Sequence, residues 1–254
     1  MMFSSEPVSK YYDSRLDGGP VYTEFNADWI IVEPWNAISS LVIALPAIYF
    51  AIKLYPKYKT FPFLSLCIPL LFLNGIGSTL FHAFRATPAF LFLDALPAAI
   101  LTLAVGVHFW TKVLPFKWMA WLVVFSALML RLVVGQFFAP HTAINISYGI
   151  TGILMFLPMV IYLKRTNYYK IHFIIISVIS LILALFFREA DAWPNQFLPM
   201  GTHFLWHVFS GIGGFYLASY LYDDRIKTLK TRGEYSVVKT SNTPQIGIDS
   251  QRSA

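Results

Sequence analysis

An α-helix needs roughly 20 apolar residues to cross a lipid bilayer, and this chain offers seven such stretches in series. They are Pro34–Leu54, Pro62–Phe84, Ala89–Trp110, Trp118–Phe138, Ile144–Leu163, Ile171–Phe187 and Thr202–Tyr222. Charge content supports the same solvent. Charged residues make up 13% of the sequence, against roughly 25% in water-soluble domains. The expectation is an all-α, polytopic membrane protein, a seven-transmembrane-helix bundle over residues 34–222. An acidic arm precedes it (1–33). The tail that follows (223–254) is rich in Lys, Arg, Ser and Thr, a composition that favours disorder. Connections are short and leave no room for a second domain. Cys67 is the single cysteine, so an intrachain disulfide is excluded and cysteine does not report the compartment. The N-terminus lacks the charged, apolar and cleavage regions of a signal peptide, so none is expected.

The formal net charge of +6 reflects where Lys and Arg sit and does not point to nucleic acid. Lys53, Lys57 and Lys59 follow the first stretch. Lys112 and Lys117 lie between the third and fourth, and Lys164, Arg165 and Lys170 between the fifth and sixth. Arg225, Lys227, Lys230 and Arg232 follow the seventh. In a seven-helix bundle all of these fall on one side, while Glu6, Asp13, Asp17, Glu24, Asp28, Glu189 and Asp191 fall on the other. The positive-inside rule then places the C-terminus in the cytoplasm and the N-terminus outside. A bacterial inner membrane and a eukaryotic endomembrane both remain open.

Polar residues inside apolar helices are costly and mark function. Asn74, Ser78 and His82 are spaced by four on the second stretch and share one helix face. Asp94 lies early on the third. The seventh reads "HFLWHVFSGIGGFY", which puts His203 and His207 four apart, with Ser210, Gly211 and Gly214 on their face. Followed along the helices, His82, His203 and His207 reach a similar depth in the outer half, with Ser78 and Asp94 close by. A single His or Asp in a membrane helix can equally be an interhelical hydrogen-bonding residue. Three imidazoles with an open position, however, are a common catalytic zinc arrangement, and Asp94 is placed to orient a histidine. His108 and His172 fall at the inner side and His141 in an outer loop, read as solvated. Arg131 needs a partner inside the bundle, for which Asp94, Glu33 and Asp191 are candidates. Arg188, Glu189 and Asp191 read as solvated or paired at the membrane edge.

These motifs resemble a known group. "GIGSTLFH" followed by "LDALP" is similar to the Ser-x-x-x-His and Leu-Asp-x-Leu-Pro signature of the alkaline ceramidase family, which belongs to a wider superfamily of seven-helix membrane hydrolases and receptors. "HFLWHVFSGIGGFY" resembles that family's last-helix motif, and "EPWNAIS" (Glu33 to Ser39) the start of its first helix. The resemblance spans about Glu24 to Tyr222. It implies a Zn2+ site of His82, His203 and His207, with Ser78 and Asp94 as the catalytic pair. The implied activity is hydrolysis of the amide of ceramide or a related N-acyl membrane lipid; the sequence itself gives no sign of an obligate protein partner. The family also binds Ca2+ through an Asp-Trp-x-Glu-x-Asn pattern and a later Glu. Here Glu24, Asn26 and Glu33 match. Val21 and Tyr22 replace the Asp and Trp, and the stretch to Glu33 is about two residues shorter, with Asp17 or Asp28 available to compensate.

A receptor or sensor with a similar metal site is the main rival to a hydrolase. A serine protease using Ser78 is disfavoured, because Ser78 and His82 share one helix and Gly-x-Ser-x-Gly is absent. A retinal protein is disfavoured because Thr202–Tyr222 contains no Lys for a Schiff base.

Overall fold

A computed structural model describes residues 17–234. Seven α-helices follow one another: α1 Pro34–Leu54, α2 Pro62–Phe84, α3 Pro88–Val113, α4 Lys117–Phe137, α5 Pro140–Arg165, α6 Ile171–Ala190 and α7 His203–Thr231. A single 3-10 turn, Tyr58–Thr60, joins α1 to α2, and there is no strand among the described residues. Four helices begin at a proline (Pro34, Pro62, Pro88, Pro140). Proline suits that position because its missing N–H has no intrahelical partner there and its φ is preset.

Helices α1 to α6 are each long and apolar enough to cross a membrane. Helix α7 falls outside that set because its sequence carries His203, His207, glycines and tyrosines, and these polar groups face protein. It packs between α1 and α6. The neighbours then run α1 against α2, α2 against α3, and α3 against both α4 and α5. Large side chains such as Ile38, Leu45 and Ile52 on α1 or Trp118 and Trp121 on α4 point outward, an apolar surface that suits lipid rather than water.

The interior divides into two ends. Where the C-terminus of α1 meets the N-terminus of α2, the core is apolar: Phe50, Leu54, Phe61, Leu64, Phe109, Met159 and Tyr220 are buried together. At the opposite end the buried residues are polar, and the arm folds over them. The boundary expected at Tyr222 moves here. Helix α7 continues to Thr231 because Asp224, buried at 3% exposure, pairs with Lys112 and accepts from the Tyr162 hydroxyl at 2.9 Å. Glu6, Asp13 and the tail beyond residue 234 lie outside the described residues.

Candidate metal centre

The polar end is assembled from four segments. The last turn of α2 brings His82, the first turns of α7 bring His203 and His207, the start of α1 brings Asn36, Ser39 and Ser40, and the arm brings Tyr22 and Glu33. His82, His203 and His207 are all buried, and one ligand atom from each lies within 4.8 Å of the others. The ring centroids are 4.8 to 5.3 Å apart. The i, i+4 spacing on α7 puts His203 and His207 on one face, and Gly211, one turn later, lets that face reach α1. A Cβ at Gly211 would stand 2.6 Å from the Val42 carbonyl oxygen.

The chemistry of this donor set fits a metal ion. His82 Nδ1 is 2.5 Å from Glu33 Oε2, so the ring donates there and leaves Nε2 unprotonated. His207 Nδ1 is 2.9 Å from Ser39 Oγ. The Ser39 hydroxyl donates to the Asn36 carbonyl at 3.1 Å, so its lone pair accepts Nδ1–H of His207, again leaving Nε2 as the ligand atom. His203 Nδ1 is fully buried with no hydrogen-bond partner. An unmade hydrogen bond at a buried ring nitrogen costs about 1–3 kcal/mol, which sets His203 apart from the other two rings. Carboxylate- and hydroxyl-oriented imidazoles are the usual surroundings of metal-ligating histidines.

Beside the trio lies the second pair singled out from the sequence. Ser78 is 1% exposed, its Oγ lies 3.0 Å from Ser40 Oγ, and its hydroxyl reaches the Asp94 carboxyl. Asn74 fixes Asp94, donating from Nδ2 to its backbone oxygen at 2.7 Å and to Oδ1 at 3.3 Å. Gly77 is what lets α3 come this close: a Cβ there would overlap the Leu93 carbonyl and stand 2.8 Å from the Asp94 amide. Small residues at a helix crossing let backbones approach in this way.

Around this centre the arm is ordered by charge. Asp17 accepts from Arg85 Nε at 2.8 Å, and Glu33 Oε1 accepts from Arg85 Nη1 at 2.5 Å. Burial pushes the Glu33 carboxyl up to about 7, against the pull of Arg85. Asp191, expected at a solvated or paired edge, is buried at 3% exposure. It accepts from the backbone N–H of Thr202 at 2.6 Å, of His203 at 3.0 Å and of Thr23 at 3.0 Å, closing the start of α7 onto the arm. Burial raises its pKa, opposed by these three N–H groups. The Tyr22 ring stacks on His203 at 3.7 Å between centroids. Burial also lifts its phenol well above the usual range, so it stays protonated.

The residues matched to calcium have other partners. Both Glu24 oxygens accept from the first turn of α1, at Trp35 N (2.5 Å) and Asn36 N (2.9 Å). Asn26 accepts from Asp28 N at 3.0 Å. Glu33 serves His82 and Arg85. Asp17, the possible substitute ligand, serves Arg85.

Arg131 pairs with none of its three carboxylate candidates; its Nη1 donates to Thr151 Oγ1 of the adjacent α5 at 3.2 Å. His141, expected to be solvated, meets Glu189 at 3.1 Å. His108 stacks on Phe63 at 3.9 Å, apart from the trio. Sequence reasoning passed over Tyr22, Ser39, Ser40 and Arg85 as parts of the centre. For the serines a signal was present: Asn36, Ser39 and Ser40 are polar at i, i+3 and i+4 in an otherwise apolar helix, the same rule that marks α2.

No family model matches this chain, and no curated protein is significantly similar to it.

Proposed function

We propose that this protein is a zinc-dependent hydrolase that works inside a membrane and cleaves the amide of ceramide or a related N-acyl lipid to a fatty acid and a sphingoid base or other amine. The observation that carries the reading is the buried trio His82, His203 and His207 set beside Ser78 and Asp94. The resemblance of the three motifs to alkaline ceramidases supplies the substrate class. Helix α7 is read as the seventh span, because its polar side chains face the centre and not lipid. The distribution of Lys and Arg supports an outer position for the arm and a cytoplasmic tail.

A zinc ion on three neutral imidazoles supplies Lewis-acid polarisation of the substrate carbonyl and a water that ionises near neutral pH. The chain does the rest. Glu33 and Ser39 hold His82 and His207 in the tautomers that leave Nε2 unprotonated. As water adds to the amide carbon, Asp94 takes its proton and passes it to the nitrogen as the C–N bond breaks. Once Asp94 holds that proton it no longer accepts from Ser78, and the Ser78 hydroxyl, held by Ser40, turns to donate to the oxygen on which negative charge develops. The apolar bundle holds the acyl chain, which is the reason for placing the reaction within the membrane.

The test is turnover of a panel of N-acyl lipids by purified protein, with and without a chelator. Expected are chelator-sensitive hydrolysis, loss of metal and activity together in His207→Ala, and loss of activity with metal retained in Asp94→Asn. Metal binding without turnover of any lipid in the panel would favour the receptor or sensor reading. Full hydrolysis by His207→Ala would overturn the mechanism.

A further inference from the structure

The three imidazoles are not oriented alike. His82 is held by Glu33 and His207 by Ser39, in each case through Nδ1. His203 Nδ1 has no such partner among the described residues. Its ring lies instead against that of Tyr22, with centroids 3.7 Å apart and planes 23° from parallel. The same phenol ring tilts against His82 at 5.2 Å.

Tyr22 is itself held from the residues that follow it. Thr23 donates from N at 3.0 Å and from Oγ1 at 2.9 Å to Asp191, and Asp191 accepts from His203 N at 3.0 Å. Glu24 is locked onto the first turn of α1. One short piece of arm therefore grips His203 twice: its backbone through Asp191 and its ring through Tyr22.

We propose that Tyr22 is the positioning residue for His203, its stacked ring taking the place of the hydrogen bond that orients the other two histidines, so that the arm sets the affinity and geometry of the metal centre. The inference rests on reading the trio as a metal site. Its physical basis is torsional. The χ2 angle of histidine is broad and roughly two-fold, so an imidazole without a hydrogen bond swings unless something flat lies against it. Orienting partners of metal ligands are typically worth about 10–100-fold in metal affinity.

The test uses the full chain in detergent. Zinc affinity is measured by competition with a chromogenic chelator, and the ligand-field absorption of the cobalt-loaded protein is recorded. Tyr22→Phe keeps the ring and is expected to keep wild-type affinity and spectrum. Tyr22→Leu removes it and is expected to weaken zinc by about 10–100-fold and to shift the cobalt bands. Tyr22→Met gives a second non-aromatic variant should Tyr22→Leu fail to fold, with the same expectation. Wild-type affinity and spectrum in a folded non-aromatic variant would overturn the positioning role while leaving the metal site standing. So would a loss in Tyr22→Phe as large as in Tyr22→Leu, since the hydroxyl and not the stack would then be responsible. A wild-type protein that binds neither zinc nor cobalt would overturn both this inference and the proposed function.

Discussion

Glu33 Oε2 lies 2.5 Å from His82 Nδ1, while its Oε1 accepts from Arg85 Nη1 at 2.5 Å. One carboxylate thus ties a candidate metal ligand to a guanidinium whose side chain is only 2% exposed. Glu33→Gln is expected to weaken zinc binding by about 10–100-fold, because an amide accepts the His82 proton less strongly and no longer balances Arg85. Chelator competition measures the shift. Unchanged affinity would mean that His82 is held by packing alone.

Asp17 completes the pairing of Arg85 from the arm. Breaking a buried ion pair costs about 3–5 kcal/mol when the other charge is left uncompensated; Arg85 keeps Glu33, so Asp17→Asn should cost less than that and still lower the unfolding midpoint in detergent. A single mutant with wild-type stability would place Asp17 outside the buried network.

A metal held by the folded trio and not by the unfolded chain would stabilise by mass action, about 4 kcal/mol at 1,000 times the dissociation constant. Chelation is expected to lower the melting temperature of the wild type and leave His207→Ala unchanged, since that variant has already lost a ligand. Thermal scanning with and without chelator reads both. Equal shifts in the two proteins would place the metal elsewhere.

Gly77 sets the spacing of α2 and α3 at Asp94. Gly77→Ala drives a methyl into the α3 backbone and should cost about 1–3 kcal/mol. It should also move Asp94 away from Ser78, lowering turnover while zinc affinity holds. Paired turnover and metal measurements separate these effects, and an active Gly77→Ala protein would show that the close approach is not required.

At the other end Asp224 joins α7 to α3 and α5 through Lys112 and Tyr162. Asp224→Leu should lower the melting temperature through the stranded Lys112 while metal affinity stays at the wild-type value. A parallel fall in metal affinity would mean that the two ends of the bundle are coupled.

Much of the scaffold was readable in the sequence. Runs of apolar residues set most helix boundaries to within a few residues; those expected from Pro34 and Pro62 start at the proline that opens the helix, while those expected from Ala89 and Ile144 start earlier, at Pro88 and Pro140. His203 and His207 were readable as a pair, since four-residue spacing on a helix fixes a shared face, and His82 joined them through the depth it reaches along its own helix and through the resemblance of the motifs. Where α7 ends was not. Asp223 and Asp224 look like the start of a polar tail, and only the presence of Lys112 and Tyr162 opposite Asp224 makes helix the better state.

What the sequence determined by itself was therefore periodic and local: which segments are helical, which face of each is polar, and which side chains can ligate. The tertiary structure decided the partners. Asp191 could as well have been a solvated edge residue as the clamp on His203, and Arg131 a partner of Asp94 as of Thr151. A carboxylate or guanidinium carries no preference among partners of suitable charge or hydrogen-bonding capacity. Its choice is set by which backbone and side chain the packing of distant helices brings within about 3 Å of it, and that distance is not written in any one stretch of sequence.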